Sequence, residues 1–161
     1  MRPLLLVTHA RSDESFDNGM LSERIPEAVK QFPGDVAHIE ANPDNLEDSK
    51  EAFEPYGGEE IYDIHIEDTW NGFIEPEDAE DILDYQPISR AGTQFNNCCG
   101  NTDMALSAYA NGDLQLNYFT DLTVYEDGGT AGILEDRDSY DRPENINVEQ
   151  NLEFRYATIF D

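Results

Sequence analysis

The sequence predicts an α+β fold: a mixed sheet with two long antiparallel strands at its C-terminal end, and three to four short helices. Three observations predict it. Two late segments, 113–125 and 146–160, alternate apolar and polar residues along their length, the period of a half-buried strand. Earlier segments carry apolar residues at helical spacing and stop at Pro-Gly or Asn-Gly. The length, 161 residues, suits a single domain over 1–161.

Residues 3–8 (PLLLVT) are a short apolar run, as in a buried strand. Leu21, Ile25, Ala28, Val29 and Phe32 recur at helical spacing, and Pro33-Gly34 ends that helix. Residues 35–41 read as a second strand, which makes the first 41 residues a strand–helix–strand unit. Residues 45–53 read as a short helix in an acidic stretch. Residues 60–67 alternate, with Tyr62, Ile64 and Ile66 on one face and Asp63, His65 and Glu67 on the other. Pro76–Leu83 reads as a helix, with Glu75 beside its positive end. A strand over 87–95 follows, then a helix over Asn101–Ala110 that Asn111-Gly112 stops.

The two long runs come last. Leu114, Leu116, Tyr118, Leu122 and Val124 share one face of the first. Ile146, Val148, Leu152, Phe154, Tyr156 and Phe160 share one face of the second. Between them, 126–145 is a Gly- and Asp-rich stretch, read as an extended loop or arm joining an antiparallel pair.

The net charge is −27, from 36 Asp+Glu against 9 Lys+Arg. Such a chain repels DNA, RNA and anionic membrane surfaces, so direct nucleic-acid and membrane partners are excluded. No stretch approaches the roughly 20 apolar residues of a membrane span. Residues 1–8 are too short for a secretory signal. Eight Tyr, eight Phe and one Trp set the chain apart from a disordered acidic tail.

Lysine occurs only at Lys30 and Lys50, and the acids are spread over the whole length. Both facts fit a protein adapted to molar salt, where screening reaches about 3 Å. An alternative is an acidic mimic of DNA, for which the acids of 75–84 would supply one face.

Cys98-Cys99 is the cysteine feature. Two cysteines make neither a disulfide framework nor a zinc site, and His9, His38 and His65 are scattered. The pair sits between a strand and a helix, and a thiol at a helix N-terminus can act as a nucleophile. His9, at the end of the first strand, lies where α/β sites often form, although a lone histidine there is more often structural. Asp127, Asp136, Asp138 and Asp141, with Glu126 and Glu135, offer oxygen ligands for a hard cation but lack EF-hand spacing. Nothing matches GxSxG, HExxH, GxGxxG or a Walker loop, so no cofactor is indicated.

The segment Gly92-Thr-Gln-Phe-Asn-Asn-Cys98-Cys99-Gly-Asn-Thr102 resembles the nucleophile segment of isochorismatase-type cysteine hydrolases, and Trp70-Asn-Gly-Phe73 resembles a stretch upstream of it. The resemblance covers about twenty residues and implies Cys98 as nucleophile. It also implies an Asp at the end of the first strand and a Lys further on. This chain has Thr8 at the first position and Glu67 near the second.

With no complete catalytic set, the sequence favours a non-catalytic structural or assembly protein. Its partners would be protein subunits, in a homo- or hetero-oligomer. The two long strands point to a virus-particle component (capsid, neck or tail completion), located in a virion or in the cytoplasm of a halophilic host. The cysteine hydrolase, or a degenerate relative of it, is the alternative.

Overall fold

The computed structural model describes residues 2–9, 20–40, 64–67, 69, 72–93, 98–124 and 152–160. In chain order they form β1 (Leu4–Thr8), α1 (Met20–Gln31), β2 (Asp35–Glu40), β3 (Ile64–Glu67), α2 (Pro76–Leu83), β4 (Ile88–Thr93), α3 (Cys98–Tyr109), β5 (Leu114–Val124) and β6 (Leu152–Ala157). The short helix expected over 45–53 and the arm over 126–145 lie outside the described residues.

The six strands make one sheet in the order β3-β2-β1-β4-β5-β6. Every neighbouring pair is parallel. The fold is therefore α/β, and the expected mixed sheet with an antiparallel C-terminal pair is wrong. β5 and β6 run side by side in the same direction, with Leu116 opposite Phe154 and Tyr118 opposite Tyr156. Alternation reports that a segment is a strand but carries no direction. Direction follows from the connection, and a parallel pair needs a crossover of a dozen or more residues. Residues 125–151 provide that length.

β1 explains why the sheet is central. Leu4, Leu5, Leu6 and Val7 are all fully buried, as in a parallel strand covered on both faces. Leu4 and Leu6 join Ala37, Ile39 and Ile88 beneath α2 and α3, which supply Ala79, Ile82, Ala105 and Leu106. Leu5 and Val7 face the other way, onto Ile25 and Ala28 of α1 with Val36, Ala91 and Leu122. Each such aliphatic side chain contributes about 1.5–3 kcal/mol when fully buried. Helix α1 carries the expected stripe: Ile25 and Ala28 are buried, Val29 and Phe32 half-buried, and Arg24, Glu27 and Lys30 exposed.

β5 departs most from expectation. Its polar positions are not a wet face. Thr120, Asp121 and Thr123 are buried along with Leu114, Leu116, Tyr118 and Leu122. The pairing with β4 shifts between Arg90 and Gly92, where β5 advances from Tyr118 to Thr123. Such a bulge re-aims side chains. The Asp121 carboxylate accepts the backbone N–H groups of Ile159 (3.1 Å) and Phe160 (3.0 Å). Ile159 thereby packs against the cluster under α1.

Candidate active site

In an open parallel sheet, ligands bind beyond the carboxyl ends of the strands, where the strand order reverses. Here the reversal falls between β1 and β4: β2 and β3 lie to one side of them, β5 and β6 to the other. The residues at this point are Thr8 and His9, which close β1, and Cys98, which heads α3 a few residues after β4 ends.

Thr8 is fully buried and His9 is 5% exposed. His9 has φ 52, in the left-handed region that non-glycine residues occupy at a cost, most often at functional sites. Its N–H donates to the Ile39 carbonyl at 2.8 Å. The chain thus turns off β1 while still fixed to β2. On β4, Gly92 has φ +120, and a Cβ there would lie 2.0 Å from the Thr8 carbonyl oxygen. Only glycine lets β4 approach the end of β1 so closely.

Helix α3 begins at Cys98, three residues before the helix read from periodicity, so both cysteines lie in its first turn. Cys98 is half-buried and Cys99 fully buried, and neither is in a disulfide. The loop after β3 packs directly on this turn: a Cβ on Gly72 would fall 2.1 Å from the Cys98 carbonyl oxygen. The Thr102 hydroxyl lies 2.7 Å from the Gly72 carbonyl oxygen and 3.2 Å from that of Cys98, its two acceptors. A turn in which Thr69 N–H donates to the Phe73 carbonyl at 2.7 Å holds the loop. The two segments that resemble the cysteine hydrolases, around Gly72 and around Cys98, are therefore in contact.

Beneath them lies a group that the sequence reading missed. Arg90 of β4 and Asp103 of α3 form a fully buried ion pair, Nε to Oδ1 at 2.7 Å. Arg90 Nη1 donates to the Leu6 carbonyl at 2.9 Å, and Nη2 donates to Thr8 Oγ1 and to the Cys99 carbonyl, each at 3.2 Å. The Tyr118 hydroxyl of β5 donates to the other Asp103 oxygen. The guanidinium carbon sits 5.6 Å from the centre of the Tyr118 ring. Burial works against the charge on Arg90, but Tyr118, Asp103 and Cys99 outweigh it and hold its proton above the ordinary range. The signal was legible: an arginine in ISRAGT, inside a strand that must be buried, requires a buried acid.

The positions implied by the resemblance are now placed. Thr8 stands at the end of β1, where the acid would be, but its oxygen is engaged by Arg90 and lies 3.5 Å from Thr102 Oγ1. Glu67 ends β3 and is exposed. β2 separates it from β1, a lateral distance of about 10 Å at the usual strand spacing. Asp127, Asp136, Asp138 and Asp141 lie outside the described residues. Among the described residues, no group of three or more His, Cys, Asp or Glu could hold a metal ion, and no helix is long and apolar enough to cross a membrane.

No family model matches the chain, and no curated protein does. Solved structures with a similar course include the YcaC gene product of Escherichia coli, described as an octameric hydrolase of unknown specificity. It is 15% identical, with a TM-score of 0.48, covering 98% of this chain and 75% of that one. YcaC from Pseudomonas aeruginosa, solved with hexane-2,5-diol and covalent acrylamide, is 12% identical, with a TM-score of 0.49 over 98% and 76% of the two chains. Both scores lie below 0.5, and the function of this chain has to be read from its own residues. The expectation of a virus-particle component is corrected: it drew on an α+β build, and the sheet is all-parallel in an α/β fold. The expectation of a salt-adapted protein is likewise not kept: it rested on composition alone, and nothing among the described residues supports it.

Proposed function

We propose that the chain is a cysteine hydrolase of small molecules, with Cys98 as its nucleophile. The observation that supports this is the place of Cys98: first residue of a 12-residue helix, half-buried, at the β1/β4 reversal of an all-parallel sheet. In such a reaction the thiol gives up its proton as its sulfur bonds to a carbonyl carbon, and the bond to the leaving group breaks, the leaving group departing with that proton. A thioester remains, and water hydrolyses it to release the acid and restore the thiol.

The engagement of Thr8 by Arg90, and the removal of Glu67 to an exposed position two strands away, favour a second reading. In it the chain keeps the thiol at the head of α3 but does not turn over. The same experiment separates the two. Folded protein is treated with iodoacetamide, with the labelled cysteine located by mass spectrometry, and wild type and Cys98→Ser are screened against amides and esters of small acids. Hydrolysis that Cys98→Ser abolishes supports the enzyme. Selective labelling of Cys98 without turnover supports the binding relative. A Cys98 that reacts no faster in the folded chain than in urea would overturn both.

A further inference from the structure

We infer that Arg90 is a positioning residue for Cys98, acting through the first turn of α3; the inference deepens the thiol reading above and rests on it. Arg90 joins four elements from one buried point. Its own strand is β4, Nη1 and Nη2 hold Leu6 and Thr8 of β1, Nη2 and Nε hold Cys99 and Asp103 of α3, and Asp103 brings in Tyr118 of β5.

Two of these contacts bear on the thiol. The bond from Nη2 to the Cys99 carbonyl fixes the residue next to Cys98. The bond from Nε to Asp103 fixes the next turn of the same helix. Because Nη2 also holds Thr8 Oγ1, the height of Cys98 over the end of β1 is set by one rigid plane. From the other side, Gly72 presses on the Cys98 carbonyl, so the first turn is clamped between loop and guanidinium.

A fully buried ion pair is a poor source of stability: apolar residues of similar volume often replace one without loss. Its presence below a candidate nucleophile is explained if it sets geometry, since a misplacement of about 1 Å can cost 10²-fold in rate. This separates positioning from mere structure. An apolar replacement of the whole group should keep the fold and lose the placement.

The test uses the triple variant Arg90→Met/Asp103→Leu/Tyr118→Phe in the full chain, with iodoacetamide as probe. Cys99, fully buried, reports in the same spectrum whether α3 stays docked. Expected is a Cys99 as protected as in wild type, with a Cys98 labelling rate changed by about tenfold. A protected Cys99 with an unchanged Cys98 rate would overturn the inference. Should the triple variant expose Cys99, Tyr118→Phe decides by the same two readings, with a smaller change at Cys98. The ratio of variant to wild-type rate is informative whether or not Cys98 turns over a substrate, so failure of the hydrolase reading remains distinct from failure of the positioning one.

Discussion

Replacing Gly92 with alanine tests the close approach of β4 to β1 on which the site stands. The added Cβ would lie 2.0 Å from the Thr8 carbonyl oxygen and 2.8 Å from the Thr8 carbonyl carbon and nitrogen. All three are backbone atoms, so relief requires the strands to part by about 1 Å, and small-to-large changes of this kind cost about 1–3 kcal/mol. The φ of +120 adds a backbone penalty of about 1–3 kcal/mol for any residue with a Cβ. The sum, about 2–6 kcal/mol, is a large part of the 5–15 kcal/mol that holds an ordinary domain together. Gly112→Ala is the control: its φ is +101, but a Cβ there meets nothing within 4 Å. It pays the backbone penalty alone. Urea unfolding followed by circular dichroism gives both values, provided the slope m is unchanged. Gly92→Ala should exceed Gly112→Ala by the collision, about 1–3 kcal/mol. Equal costs at the two glycines would refute the argument that β4 is drawn against Thr8.

Arg90→Met alone leaves the buried Asp103 carboxylate without its cation and should destabilise by about 3–5 kcal/mol, measured by the same urea titration; the triple replacement described above should recover most of that. Asp121→Ala removes the acceptor that holds the Ile159 and Phe160 N–H groups, with an expected loss of about 2–3 kcal/mol and faster amide exchange at those two residues. Asp78 gives a pH dependence. Burial, with Asp81, Glu75 and Glu77 nearby, raises its carboxyl above the ordinary value of 3.8. The folded chain then binds that proton more tightly than the unfolded chain, so its contribution falls as pH rises through the folded value and returns as pH drops towards 3.8. Wild type should gain stability relative to Asp78→Asn over that fall, and a difference that is flat with pH would contradict the raised carboxyl.

Much of the fold was legible, and the part that was not has a definite cause. The run PLLLVT reads as a buried strand, and it lies at the centre of the sheet. The stripe of Ile25, Ala28, Val29 and Phe32 gave α1, and Pro76 at the start of α2 gave its boundary. β5 misled because its odd residues are polar. Polarity was taken for exposure, yet these groups are satisfied inside the protein: Asp121 by two backbone N–H groups, Thr123 by the Phe119 carbonyl at 2.8 Å. A buried strand with paired polar residues looks, in sequence, like a half-wet one. The antiparallel arrangement came from taking two long half-wet strands as neighbours, a step that alternation does not license because it carries no direction.

The site was half legible for a related reason. Cys98 and Cys99 are chemically identical and adjacent; a resemblance over about twenty residues picks out Cys98, but composition and periodicity do not rank them. The helix does. At 3.6 residues per turn, neighbours point about 100° apart, and once α3 starts at Cys98 one thiol stands at its open end while the other turns into the core. That start was invisible to periodicity, because the first turn, Cys-Cys-Gly-Asn, carries no apolar stripe and includes a poor helix former. What draws these residues into the helix is long-range: Arg90 holding the Cys99 carbonyl, and Thr102 bridging Cys98 to the Gly72 loop. Gly72 lies 30 residues along the chain from Thr102, and Arg90 lies nine from Cys99. Which of the two thiols is the more accessible is thus set by tertiary contacts. If those contacts were incidental to the chemistry, removing them while the fold persists would leave Cys98 as reactive as before.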